Sequence, residues 1–306
     1  MQCDLSSALT IRADDLFFFP MKVLTTLLIV LALTLIVFFA MKLPTHAQAP
    51  TQTPTSTRPF PTRSAPAITT TIYFPLITNF LPDPCAAIPN QTYGSVAIVG
   101  SATDRPAAQH ADMNLALRGY TITVQSKRLV NYGGASDLNA PQFANLFSPA
   151  RLPAFVNTYQ VGKWDWGCNC NIGWDDQWDV ELLGTGTSPA EIISAPASGY
   201  DIGLRPTGGY EVMVLYATNQ QITFTYGRYD SIVNPQGNGY AIHVENICVE
   251  PSLLALYNSL NTQGRSRLPA LFANQPFGRA RGSEIQIAIR DSGMFMDPRS
   301  RNDWWQ

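Results

Sequence analysis

Residues 164–180 read WDWGCNCNIGWDDQWDV and crowd four tryptophans and four aspartates into one short segment. Flat indole rings stack on sugar rings, and carboxylates accept hydrogen bonds from sugar hydroxyls. Trp164, Trp166, Trp174 and Trp178, with Asp175 and Asp176, are therefore the candidate ligand-binding residues of a glycan face. The same segment also reads as a disulfide-tied loop whose rings plug the core. Glycosidase chemistry needs two carboxylates across a bond, which the aspartates supply in number. Calcium loops need Asp-x-Asp-x-Asp spacing, which is absent here.

Histidine is scarce, with three in the chain. His110 and Asp112 set an imidazole and a carboxylate two residues apart, with Arg105 and Arg118 nearby. That pattern fits an acid–base pair or a buried polar cluster holding a loop. His243 lies in a strand-like run, as a satisfied core histidine or as a ligand. His110, Asp112 and His243 are the candidate catalytic residues. Two histidines and a carboxylate would match the ligand count of a catalytic zinc.

Of the five cysteines, Cys3 precedes a hydrophobic run, and Cys85, Cys168, Cys170 and Cys248 follow it. An even number beyond that run fits two disulfides in an oxidising compartment. A bond from Cys168 to Cys170 reads as strained, so each is expected to reach a distant partner, Cys85 or Cys248. A zinc ribbon needs two paired sets of ligands, and Cys85 and Cys248 stand alone in sequence.

The elements that must position these residues follow an export signature. Residues 23–40 are an unbroken apolar run, Lys22 precedes it, and Ala47-Gln-Ala49 follows. A charged start, an apolar core and small residues make a secretory signal; the run is also about as long as the ~20 residues of a membrane span. Residues 21–49 are thus a signal peptide or membrane anchor, and residues 1–20 a possible mis-assigned extension. Residues 50–67 alternate Pro with Thr and Ser, which makes an extended, solvated spacer. Localisation is expected to be extracytoplasmic, secreted or membrane-anchored. Lys plus Arg number 20 against 22 acidic residues, without a basic block, so nucleic acid has little electrostatic support as a partner.

Residues 68–306 read as one β-rich domain. Strands are expected at 68–76, 93–100, 121–130, 180–183, 191–194, 210–217, 221–226, 240–245 and 284–290. Residues 107–120 read as an alternating run or a short helix, and residues 138–159 as loop. One helix is expected over 251–261, with Pro251 in its first turn and a leucine stripe. The C-terminal DPRSRNDWW suggests Arg–Asp pairs and indole rings that lock the chain end, or a face for an anionic or membrane partner. The fold class is mainly β, with a barrel-like or sandwich core and one short helix.

Three segments, SAPASG at 194–199, QPFGRA at 275–280 and IAIRDSGMFMDP at 287–298, resemble in order the β core of lysostaphin/LytM-type murein endopeptidases. The resemblance implies an endopeptidase-like core over 179–306. That family holds zinc through His-x-x-x-Asp and His-x-His motifs. Here the His-x-His positions fall on Glu284 and Gln286, and the region before Ser194 has Asp175, Asp176 and Asp179 but no histidine. Only His243 falls near a family histidine. The resemblance therefore implies a fold kept and a metal site lost, with no cofactor. The expected function is a non-catalytic envelope binding or scaffold protein whose partner is a wall glycan, a peptide or an envelope protein. The alternatives are a zinc-dependent peptidoglycan endopeptidase and a glycan-binding module built on the Trp/Asp segment.

Overall fold

Alternating apolar residues in the second half of the chain decide the architecture. The computed structural model describes residues 83–199, 201–202, 209–233 and 239–306. All of them fall in one unit, Leu76–Gln306. The expected extension, signal or anchor, spacer and first strand lie outside the described residues.

Fourteen strands are described. The first six are β1 (Gly94–Ala97), β2 (Tyr120–Thr123), β3 (Phe155–Asp165), β4 (Cys170–Trp174), β5 (Leu182–Gly186) and β6 (Ile192–Ser194). Four follow as β7 (Tyr210–Ala217), β8 (Gln221–Thr225), β9 (Ala241–Glu245) and β10 (Ile247–Val249). After helix α1 (Pro251–Thr262) come β11 (Arg267–Phe272), β12 (Pro276–Ala280), β13 (Glu284–Asp291) and β14 (Met294–Met296). Helix α2 (Arg301–Trp304) ends the chain. Residues 107–120 form two short 3-10 turns, Ala107–Gln109 and Leu115–Leu117, before β2.

An eleven-stranded antiparallel sheet runs β1-β11-β7-β8-β9-β13-β5-β3-β2, with β14 on β13 and β4 on β3. A second sheet has the order β10-β12-β6. The long path is open: β1 and β2 end it as edges, and no barrel closure is seen among the described residues.

The period-two alternation of strands sorts the side chains of β8, β9 and β13 onto two faces. Ile222, Phe224, Ile242, Val244, Ile287 and Ile289 join the main core, together with Phe277 of β12 and Leu253 of α1. Each such residue, fully buried, contributes roughly 2–3 kcal/mol of transfer free energy. On the other face, Thr223, His243 and Ala288 stand opposite one another in register, as do Gln221, Glu245 and Gln286. A smaller apolar cluster of Leu115, Val161, Leu182, Ala288 and Phe295 covers part of that face.

Helix α1 begins where the sequence indicates. Glu250 caps it by accepting from the Ser252 and Leu253 N–H groups (2.7 and 3.1 Å), and Pro251 occupies a first-turn position that needs no donor. At the C-terminus, Trp304 and Trp305 are buried and donate to the Asp297 and Pro298 carbonyls (2.9 and 2.8 Å). Arg299 pairs with Asp297 at 2.6 Å. These buried rings lock the chain end.

The disulfides differ from expectation. Cys85 bonds Cys248, and Cys168 bonds Cys170. The short-range pair forms because Asn169 adopts the left-handed region (φ 56°), bringing the flanking Cα atoms to 5.3 Å. Asn tolerates that region better than most residues. Loop-closure entropy separates the two bonds, whose sequence separations are 163 and 2. The chain-entropy model gives about 5 kcal/mol for the first and under ~2 kcal/mol for the second. Urea unfolding should accordingly show the C85S/C248S variant losing several kcal/mol, and C168S/C170S losing little. Equal losses would contradict this assignment of roles.

Candidate functional site

Strand β3 is long enough to serve two neighbourhoods. Its first half pairs with β5 and its last residues pair with β4, with Gly162 opposite Trp174 and Asp165 opposite Cys170. The β3–β4 hairpin carries most of the Trp/Asp segment. Its turn is fixed by the Asp165 carboxylate, which accepts the Gly167 N–H at 2.7 Å, and by Asn169. At Gly162 a Cβ would strike the Arg118 carbonyl and the Asn171 amide, so only glycine lets the hairpin close on the turn ahead of β2. Asn171 Nδ2 donates to that Arg118 carbonyl.

A cleft of about 380 Å³ opens between this hairpin and the β13–β14 turn. Trp164, Trp166, Asp175 and Gln177 line it on one side, and Arg290, Met294 and Phe295 on the other. Asp112, Arg118, Lys163, Val233, Ser292 and Gly293 complete the lining. Trp166 is 42% exposed, and Trp174, on the same hairpin, is 49% exposed. These rings do not plug the core. Trp178 lies apart, edge-on to Tyr132 at 5.1 Å. Asp176 is solvent-exposed, 3.9 Å from the Lys163 ammonium.

One buried carboxylate organises the cleft. Asp112 Oδ1 accepts from Arg118 and from Arg290, each at 2.6 Å. Burial opposes its charge, but Arg290 and then Arg118 outweigh that, holding the carboxyl at about 2. Both guanidinium groups lie over the Phe295 ring, at 5.5 and 4.6 Å from its centroid. Arg118 also donates to the Ala111 and Gly162 carbonyls (3.1 and 3.2 Å), and Arg290 to the Gly293 carbonyl. Two buried donors of the lining, Trp164 Nε1 and Arg290 Nε, have no protein partner.

The histidines play different parts. His110 Nδ1 accepts the Asp112 backbone N–H at 3.2 Å, and its ring meets Trp166 edge-on at 5.0 Å. Burial lowers its pKa. His243 is fully buried in β9. The Thr223 hydroxyl donates to the Met113 carbonyl at 2.6 Å and therefore accepts from His243 Nδ1 at 2.9 Å. Burial pushes His243 to about 3, so the ring is neutral and its Nε2 lone pair is unpaired. The carboxylate of Asp112 is engaged by two arginines. Among the described residues, no three His, Cys, Asp or Glu side chains converge as a metal-holding set.

A second polar group sits on the same sheet face. Glu245 of β9 stands opposite Gln286 of β13, and the Gln221 amide nitrogen turns to Glu245 Oε1 at 2.9 Å. No cation reaches it, and burial raises its pKa to about 8. Glu284 accepts from Tyr159 at 2.7 Å, Asn157 at 2.6 Å and Gln286 at 3.0 Å. Gly184 of β5 faces Gln286 in register, and a Cβ there would strike the Glu284 carboxylate. Glu181, just before β5, is fully buried and raised to about 7 by burial. One of its oxygens accepts the Val161 N–H at 2.9 Å; the other has no partner.

The structure thus gathers Trp164, Trp166, Asp175 and Asp112 at one cleft, with His110 beside it. It leaves Trp178 and Asp176 outside and seals His243 in the sheet. Lys163, Arg290, Phe295, Glu181 and Glu245 were not expected at a site. The burial of Arg290 was signalled in the sequence, because it continues the alternation of β13 onto the polar face. Comparison with family models, curated proteins and solved structures returns no match for this chain.

Two outcomes follow from this chemistry. Truncating Asp112 leaves two buried guanidinium groups without their shared counter-ion, so D112A should lose on the order of 3–5 kcal/mol in urea unfolding. Glu245 keeps its proton in the fold up to about pH 8, whereas its unfolded reference is 4.5. Its contribution is full below pH 4.5 and is lost as pH rises to about 8, by a total on the order of 4 kcal/mol. Glu181 adds a smaller loss in the same direction, up to about pH 7. His243 acts oppositely, since stability falls as pH drops from 6.5 toward about 3. E245Q should flatten the alkaline arm of the stability–pH curve; an unchanged arm would rule out a buried neutral Glu245.

Proposed function

We propose that this chain is a non-catalytic, extracytoplasmic binding protein of the cell envelope, and that its ligand is a wall glycan held at the β3–β4 cleft. The observation that carries the reading is the pair of exposed indoles, Trp166 and Trp174, on a hairpin that borders a polar cleft. Sugar rings offer an apolar face to an indole and hydroxyls to surrounding polar groups. Asp175 and Gln177 line the cleft with acceptors and donors, and the unpartnered Trp164 Nε1 and Arg290 Nε add donors. In this reading residues 21–49 deliver or anchor the domain, and residues 50–67 hold it away from the membrane.

The likeness to a murein endopeptidase core enters as a degenerate one. In support, segment 287–298 spans most of the β13–β14 hairpin, and segment 275–280 contains β12. Glu284 and Gln286, at the positions of the family's His-x-His, meet Gly184, Glu245, Asn157 and Tyr159, with no imidazole among them. Carboxylates, an amide and a phenol make a poor zinc set.

Intrinsic Trp fluorescence titrated with soluble wall glycan fragments tests the proposal. Wild type should show saturable change, and W166A/W174A should bind at least about ten-fold more weakly, because an aromatic contact contributes about 0.5–1.5 kcal/mol beyond the area it buries. Both substitutions lie at exposed positions, so thermal stability should hardly move. Wall fragments that leave the wild-type spectrum untouched would remove the reading. Turnover of the same fragments, abolished by EDTA, would replace it with the hydrolase alternative.

A further inference from the structure

The Cys168–Cys170 bond has no evident task in holding the fold. It closes a separation of two residues, and the turn it spans is already set by the Asp165–Gly167 hydrogen bond, the left-handed Asn169 and the pairing of Asp165 with Cys170. Its position is also unlike that of the other bond. Cys168 is exposed at the hairpin tip and Cys170 partly so, whereas in the other bond Cys85 is exposed and Cys248 is buried in β10. The surroundings suit a thiolate. Arg105 donates to Asn169 Oδ1, between the two cysteines, at 2.9 Å, and its guanidinium lies over the Trp166 ring at 5.0 Å. Nearby cationic charge favours the ionised thiol, which is the species that exchanges. Arg105 also pairs with Asp104 at 3.0 Å, so the charge is shared and not free.

We infer that Cys168–Cys170 is a reversible thiol–disulfide exchange site that accepts electrons from a dithiol, and that its state sets the position of Trp166 at the cleft. The chemistry balances without a further reactant. A thiolate of the incoming dithiol attacks Cys168 Sγ, the Cys168–Cys170 bond breaks, and Cys170 leaves as the thiolate. The second thiolate of the dithiol then attacks the mixed disulfide and releases Cys168. The protein gains two electrons and two protons, and the dithiol becomes a disulfide. Exposed disulfides are the labile ones, and in the second bond the Cys248 half is shielded within β10. Trp166 lies two residues before Cys168, and its ring is pinned by Trp164, His110 and Arg105. Opening the bridge releases the tip on one side of that ring. The inference stands whatever ligand the cleft takes.

The full chain, equilibrated across a series of dithiothreitol ratios, alkylated and mapped by mass spectrometry, tests it. Cys168 and Cys170 should label together at a reduced-to-oxidised ratio at least ten-fold below that needed for Cys85 and Cys248. Oxidised dithiothreitol should restore the bond, and Trp fluorescence should follow the labelling in wild type but lose that component in W166F. C170S, which cannot form the bond, should lose the ratio-dependent Trp166 component. Opening of Cys85–Cys248 first or in step, failure of the bond to re-form, or labelling with no Trp166 response would each overturn the inference.

Discussion

The Asp112 carboxylate holds the functional half of this molecule together. It is a single acceptor shared by two arginines from distant parts of the chain, one following the 3-10 turns before β2 and one in β13. Two buried cations facing one buried anion leave an excess positive charge in a place of low polarity. Backbone carbonyls of Ala111, Gly162 and Gly293 offset it by supplying partial negative charge to the remaining N–H groups. Those carbonyls belong to the turns that shape the cleft. The hairpin, the turns ahead of β2 and the β13–β14 turn are thus tied through one charge cluster.

That arrangement is possible because the central sheet has two unequal faces. Ile285, Ile287 and Ile289 of β13 give one face wholly to the main core, and Gln286, Ala288 and Arg290 fall on the other by alternation. The second face has only a small apolar cluster to cover it. Polar groups there are buried without bulk solvent and without a large core, so each must find a partner or lose its charge. Asp112 takes the first course. Glu245, His243 and Glu181 take the second, and their displaced pKa values all have burial as the leading cause. Strongly shifted groups often mark catalytic centres. Here burial leads each shift, which makes it a property of the sheet face.

Much of this order is visible in the sequence. The run 210–217 becomes β7 without change, 284–290 becomes β13 with one more residue, and Pro251 opens helix α1. These segments have strong alternation or a clear cap, and local chemistry decides them. Strands β11 and β12 are harder to see because Pro269 lies inside the first and Pro276 opens the second; Pro269 stands opposite Ser95 of the edge strand β1. The start of β3 is hidden among prolines, and β4 by its two cysteines and Gly173. In the aromatic segment, spacing alone does not separate Trp166, at the cleft, from Trp178, which packs on Tyr132. Arg118 and Arg290 are 172 positions apart, and only the sheet register brings them to one carboxylate.

The same constraint bears on why histidine chemistry is weak here. For His110 and His243 to hold a metal with Asp112, the carboxylate would have to leave both arginines, and His243 would need an exposed ring nitrogen. Its Nδ1 is committed to Thr223, which is itself committed to the Met113 carbonyl. Freeing Asp112 would strand two guanidinium groups in a nearly dry site, at a cost comparable with a large share of a domain's stability of about 5–15 kcal/mol. A cation arriving at that cluster would also face two fixed positive charges at close range, which raises the barrier further. The electrostatics that fasten the hairpin to the sheet therefore oppose a divalent metal at these residues.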